Sequence, residues 1–184
     1  MAARSETAGT TGILNTRSEQ RQAEKRRVFD PLFSRYWLPV TRHVECYLDV
    51  DAEVYEVVAQ VFQIAWERLR PARPGGLTWL LRIAEGVLRD RRRRGGLREP
   101  VLDAVHKNVV TNPAEASTLD RRDVLQAMAR LNERERRVVV LTYWDGLSTG
   151  EAAEVMRSRP GAVRATLRRA REKLRDALEG GSQW

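Results

Sequence analysis

Apolar residues in this chain recur at steps of three and four, and no run alternates as a strand would. Phe29, Leu32, Phe33, Tyr36, Val40, Val44 and Tyr47 form one stripe. Val54, Val57, Val58, Val61, Phe62, Ala65 and Leu69 form a second, and Leu80, Leu81, Ala84, Val87 and Leu88 a third. Each stripe lies on one face of a helix and must be buried against another element. The expected fold class is therefore all-α, with no sheet. Pro39 predicts a kink or break near Leu38, because it removes a backbone donor and clashes with the preceding turn. Pro71-Ala72-Arg73-Pro74-Gly75-Gly76 predicts a loop. Gly95-Gly96, after Arg91-Arg92-Arg93-Arg94, predicts the end of the third helix.

The C-terminal part is helical by the same test. Leu119, Leu125, Met128 and Leu131 mark one helix. Asn132 with Glu135 has the form of a capping box and opens a helix through Tyr143, ended by Asp145-Gly146. Ser148 with Glu151 is a second box, opening a short helix to about Met156. Arg157-Ser158-Arg159 makes a tight turn, and Pro160 sits at a first helical position, where its missing N–H costs nothing. The last helix turns Val163, Leu167, Ala170, Leu174 and Ala177 inward.

These signals divide the chain into a flexible arm (1–26), a helical block (27–95), a linker (96–118) and a second helical block (119–180). Val101, Leu102 and Val105 suit a short docking turn within the linker. Blocks of roughly 60–75 residues are marginal alone, so docking to a partner would help hold them.

Composition narrows the function. There are 33 Lys and Arg against 25 Asp and Glu, a net +8, which points to a polyanionic partner such as nucleic acid. The single cysteine, Cys46, excludes a disulfide framework within the chain, and no run approaches the ~18 apolar residues of a membrane span. No secretory signal is visible in residues 1–27. A reduced, cytoplasmic protein with no membrane association is expected. His43 and Cys46 share a helix face, but no second ligand pair exists, so they read as a structural histidine and a buried thiol. There is no phosphate-binding glycine loop, serine elbow or paired-carboxylate setting. No catalytic residue, metal or cofactor is expected, and the chain does not read as an enzyme.

Two basic clusters carry the binding chemistry. Residues 157–175 hold eight Arg or Lys against Glu172 alone. A short capped helix, a tight turn and a longer basic helix are the layout of a helix-turn-helix, and small Ala152 and Ala153 let its helices pack closely. Such a helix fits the major groove, where Arg makes paired bonds to guanine. The alternative is a solvated basic helix, whose inward spacing would even suit a short coiled-coil seam. Residues 82–98 hold seven Arg against Glu85 and Asp90, with Trp79 at the segment's start. A basic groove beside an aromatic suits unpaired bases, although Trp79 also suits plain core packing and the Arg run a solvated helix end. The polar face of Glu53, Glu56, Gln60, Gln63 and Glu67 belongs either to an ordinary amphipathic helix or to one lying on a partner protein.

At these residues the chain resembles a bacterial sigma factor of the sigma-70 family, extracytoplasmic-function (ECF) group. Glu56-Val57-Val58-Ala59-Gln60-Val61-Phe62-Gln63-Ile64-Ala65-Trp66 is similar to the region 2.2 pattern D-l-v-Q-e-v-F-l-x-a-W. Trp79-Leu80-Leu81-Arg82-Ile83-Ala84 resembles W-L-x-x-I-A, and Asp90 with the Arg run its D-x-x-R-R continuation. Leu131 to Arg136 resembles L-p-x-x-x-R, and Gly161-Ala162-Val163-Arg164 with Arg169-Ala170-Arg171 resembles region 4.2. The chain departs from the family at several positions. Glu56 stands for Asp, Ala59 for Gln, Glu85 for a basic residue, Gly86 for Asn, Arg157 for Gly and Ala165 for Ser. Gly86 within a helix costs roughly 1 kcal/mol, and Arg157 in a left-handed turn would be mildly strained.

The resemblance implies a σ2-like bundle and a σ4-like helix-turn-helix domain. The first would bind the β′ clamp helices of core RNA polymerase and open the −10 element; the second would bind the β flap and read the −35 element of promoter DNA. By matched position it implies polymerase contacts at Glu53, Glu56, Val57, Gln60, Phe62, Gln63 and Trp66. It implies −10 contacts at Trp79, Arg82, Gly86, Arg89, Asp90, Arg91, Arg93 and Arg94. It implies −35 contacts at Arg159, Pro160, Gly161, Arg164, Ala165, Thr166, Arg168, Arg169 and Arg171. An anti-sigma factor stands open as a further partner. Two rivals remain: a helix-turn-helix regulator that binds DNA alone, using 28–94 as a sensor or dimerisation module, and a degenerate sigma-like antagonist that occupies polymerase without opening DNA.

Overall fold

A computed structural model describes residues 7–48, 50–95 and 121–180, with side chains described outside 7–17, 121–123, 125 and 180. Seven α-helices are described: α1 (Thr7–Glu45), α2 (Asp51–Arg68), α3 (Leu77–Arg93), α4 (Arg121–Ala129), α5 (Glu133–Val139), α6 (Thr149–Val155) and α7 (Pro160–Gly180). A π-helical turn, Val140–Trp144, continues α5. No strand occurs among the described residues, so the all-α expectation holds; Arg70 and Arg73 make one isolated bridge. Leu119 and the linker residues 96–118, with Val101, Leu102, Val105 and Arg98, lie outside the described residues.

The first block is α1 to α3, each packed on the other two. The break expected at Pro39 does not occur: α1 runs unbroken through Pro31 and Pro39. An internal proline costs about 3 kcal/mol. Leu32 before Pro39, and Val40 and Val44 after it, are buried in one core, and that burial keeps the helix continuous past the proline. The helix also begins at Thr7, so the segment from Thr7 to Arg26, expected as a flexible arm, is its first part. Aromatics zip α1 to α2: the ring centroids of Phe33 and Phe62 lie 4.8 Å apart, and those of Phe29 and Trp66 5.1 Å apart. Lys25 sits over the Trp66 ring at 4.9 Å. At the start of α3, a Cβ on Gly75 would fall 2.0 Å from the Trp79 ring, so only glycine lets that indole lie on the loop.

The second block packs α4, α5 and α6 around α7. Both expected capping boxes are present. Asn132 Oδ1 accepts from the Glu135 N–H at 2.9 Å, and Ser148 Oγ from that of Glu151 at 3.2 Å; each glutamate reaches back to the cap N–H. Pro160 opens α7 as expected. The core here joins Met128, Leu131, Leu141 and Leu167 to the smaller Ala152, Ala153, Val155, Val163 and Ala170, all buried.

The two blocks are docked, through α6 on α3 and through polar contacts from α1 and α3 to α5 and Asp145. His43, fully buried at the end of α1, has Nδ1 2.8 Å from Asp145 Oδ2. Glu85 of α3, 4% exposed, accepts from the Tyr47 hydroxyl at 3.1 Å and from Arg137 Nη2 at 2.5 Å. Arg92 pairs with Glu133 at the rim. His43 and Cys46 are both buried, as expected, and no group of three or more His, Cys, Asp or Glu fit for a metal occurs among the described residues.

Candidate nucleic-acid and polymerase interface

The helix-turn-helix spans α6, the turn at Arg157–Arg159, and α7. Val155, Val163 and Leu167 are buried between its helices, and the alanines of α6 allow the close crossing. The turn is a Schellman motif: the Ser158 N–H bonds the Ala153 carbonyl at 2.9 Å, and the Arg157 N–H that of Glu154 at 3.2 Å. Arg157 takes φ +51°, the left-handed conformation expected of it.

Burying one side of α7 leaves Arg159, Pro160, Gly161, Arg164, Arg168 and Arg169 exposed together, and Ala165 partly so. Thr166 requires a correction. It is 2% exposed, and its hydroxyl donates to the Ala162 carbonyl at 2.9 Å, so it locks the helix rather than facing a groove. Arg171 is turned aside to Tyr143, with Nε 2.5 Å from the phenol oxygen. Lys173 Nζ lies 2.8 Å from Glu135, which is held below the usual carboxylate range: burial opposes that shift, and the Lys173 and Asn132 hydrogen bonds outweigh it.

In the first block, α3 and α2 wall a cleft of about 840 Å³ whose lining includes Gln60, Trp79, Arg82, Gly86 and Arg89. Arg157, from the turn of the other block, also lines it. Six arginines reach this cleft, against Glu56 and Asp90. Arg93 and Arg94 are exposed at the end of α3. Arg91 is engaged instead, at 3.1 Å from Glu53 and 3.0 Å from Glu56 of α2; these bonds, chiefly that to Glu56, hold its pKa above the usual.

Along α2, Gln60, Gln63 and Glu67 are exposed, whereas Val57 and Phe62 are 0% and 4% exposed. The latter two do not present a surface; they hold α2 to its block and so position its outer face. Trp66 is half-buried under Lys25. Sequence reasoning missed Glu85, His43, Asp145 and Arg137 as a group. The available signal was the acid at position 85 beside the apolar stripe of α3, a placement that burial tolerates only with partners.

Residues 121–174, the second block with most of α7, match the family model described as sigma-70, region 4. The chain is 28% identical to the RNA polymerase sigma factor CnrH of Cupriavidus metallidurans over 179 residues, covering 89% of this chain and 93% of that one. It is 27% identical to the sigma factor NccH of Alcaligenes xylosoxydans xylosoxydans, covering 82% and 87%. The solved structure of CnrH in complex with the cytosolic domain of CnrY superposes with a TM-score of 0.62, covering 88% of this chain and 96% of that chain at 27% identity. The sigma factor RpoE of Bartonella quintana, solved with the anti-sigma factor NepR, shares the fold at TM-score 0.61 and 17% identity, covering 82% and 96%. With two helical blocks and a basic helix-turn-helix in the second, the chain is similar to RNA polymerase sigma factors along nearly its whole length, and its second block matches region 4 of the sigma-70 family.

Proposed function

We propose that this protein binds core RNA polymerase and directs it to promoters, with α7 reading the −35 element and the α2–α3 block engaging the clamp and the −10 element. The observation that carries the reading is the outward arginine face of α7, within the stretch that matches region 4. Arg164, Arg168 and Arg169 project into a major groove; contacts to phosphate set affinity and contacts to base edges set sequence preference. Arg159, Pro160 and Gly161 bring the start of α7, with the Gly161 N–H and the Arg159 guanidinium, to a phosphate. Gln60 and Gln63 with Glu67 form the polymerase face of α2, and Arg82, Arg89, Arg93 and Arg94 track the backbone of the opened strand beside Trp79. The protein performs no chemistry itself, and its place is the cytoplasm; no described helix is long and apolar enough to cross a membrane. CnrH is solved with the cytosolic domain of CnrY. A protein antagonist of that kind is a partner in keeping with this reading.

Run-off transcription with core polymerase, mapped genome-wide with and without this protein, tests the proposal. Specific start sites should appear only with it. Operator binding by the chain alone, with no effect on polymerase, would replace the reading with that of an ordinary helix-turn-helix regulator.

A further inference from the structure

The docking of the two blocks sets a problem of charge. His43 and the carboxylates of Glu85 and Asp145 are each at least 94% buried in their side chains, and the Arg137 side chain is 17% exposed. Asp145 lies 2.8 Å from Nδ1 of His43, and Glu85 lies 3.7 Å from Nε2, which has no hydrogen-bond partner. Arg137 neutralises one of the two carboxylates. Among the described residues, the other is paired with His43 alone. With His43 protonated the four groups balance; with His43 neutral one negative charge is left buried without compensation, which is costly.

From this geometry we propose that the free protein rests in a docked form latched by His43 and Arg137 against Glu85 and Asp145, and that loss of the His43 proton releases the latch. The regulatory half of the proposal rests on the initiation reading above. In the docked form α6 lies on α3, and Glu154 and Arg157 border the crevices that hold Trp79 and Arg82. The second block therefore stands against the Trp79 and Arg82 part of the helix assigned to the −10 element, while the face of α7 stays open. Two promoter elements centred about 25 base pairs apart lie roughly 85 Å apart at about 3.4 Å per pair. Blocks joined at hydrogen-bond distance do not reach both, so the latch must open for initiation.

The direction with pH follows from the neighbours of His43. They are Tyr47 on its own helix, Glu85 on α3, Arg137 on α5 and Asp145 after the π turn. Burial works against the charged ring and Arg137 opposes it further; the Coulomb attraction and hydrogen bond of Asp145, with Glu85, outweigh both and raise the pKa above its ordinary 6.5. A raised value in the docked form means that docking is strongest below about 6.5 and is lost as pH rises through the docked pKa. The docking equilibrium constant should fall about tenfold for each unit by which docking raises that pKa. Mild alkalinity opens the protein.

The test uses the full chain with Cys46→Ala and a donor–acceptor dye pair at Tyr55→Cys and Asp176→Cys, both exposed and outside the assigned contacts. Energy transfer should report a docked population at pH 6 that gives way to an open one by pH 9. His43→Gln should be open throughout. Asp145→Asn should stay docked throughout, because Glu85 and Arg137 then balance without the proton, and the double variant should regain docking. Transfer that is independent of pH in the parent chain, or an Asp145→Asn chain as open as His43→Gln, overturns the latch. A second measurement needs no labels. The chain has two histidines, 43 and 106, so proton NMR assigns both with one variant. His43 should titrate above 6.5, and titration at or below its ordinary value overturns the proposal. Neither measurement involves polymerase. A working latch with no start sites in run-off transcription sinks the initiation reading alone. Where start sites do appear, His43→Gln should bind core polymerase severalfold more tightly than the parent at pH 6; equal affinity overturns the competition.

Discussion

The helices α3 and α7 are both basic amphipathic helices, and the structure treats them oppositely. Both bury an apolar stripe, Leu80, Leu81, Ala84 and Leu88 in one and Val163, Leu167 and Ala170 in the other. On α7 Arg164, Arg168 and Arg169 stay exposed, with Arg168 3.9 Å from Glu172 on the same helix and Arg171 turned to Tyr143. On α3 the face is crowded: Arg91 is held by Glu53 and Glu56, Arg92 by Glu133, and α6 lies across the helix. A count of charge would rate the two helices alike. What separates them is which neighbouring carboxylates and helices reach the face, a property of tertiary packing. The helix starts differ as well: α5 and α6 of the second block open on capping boxes, whereas α2 and α3 of the first carry no side-chain cap.

The largest effect asks if this contrast belongs to one folding unit or two. Leu81 is fully buried in α3, which packs on α1, α2 and α6. Leu81→Ala should cost about 2–5 kcal/mol, the range for an enclosed leucine. In calorimetry at pH 6, with the blocks docked, a single transition should move down as a whole. A second, unshifted transition would show that the C-terminal block melts independently of α3. Next in size are Arg164→Ala and Arg169→Ala. Each should weaken −35 binding by the holoenzyme, with about 1–3 kcal/mol of sequence discrimination lost where the contact is to a base. Loss without any change in discrimination marks a phosphate contact, and the salt dependence should then flatten by about one unit of slope. Unchanged footprints for both variants would remove α7 as the reading helix.

Much of the architecture was legible because it is local. Period, capping boxes, Pro160 at a helix start and glycine after a basic turn are all written within one turn of helix, and the structure carries each of them. The site was legible in part. The outward arginines of α7 follow from its apolar phase, but Thr166 sits one residue before Leu167 and shares its inward side, which the family pattern alone did not reveal. Val57 and Phe62 fell to the same confusion between a matched motif and an exposed one. The unbroken α1 was not legible, because the burial that offsets Pro39 comes from two other helices. Of the four-residue charge cluster only the acid at position 85 left a signal: His43 and Asp145 are separated by 102 positions and Glu85 and Arg137 by 52, and no periodicity links them.

The smallest effect compares how two helices end. The helix α3 finishes with Gly95 at φ +76°, its N–H bonded to the Arg92 carbonyl at 3.0 Å. The helix α6 finishes with Arg157 at φ +51° in the same relation to Glu154. The two backbones solve one problem, yet only the first uses the residue free of a Cβ penalty. That penalty is about 1–2 kcal/mol for an L-residue in this region, offset in part by the greater unfolded-state entropy of glycine. Arg157→Gly should therefore stabilise the second block by roughly 1 kcal/mol, read as a higher midpoint in urea with an unchanged slope. The same variant removes the one side chain of the second block among the residues that line the cleft on α3. If Arg157 is held in its strained conformation for that contact, the more stable variant should also open more readily at pH 6 in the energy-transfer assay. A variant that is more stable and equally docked would place the strain in the helix-turn-helix alone, with no part in holding the blocks together.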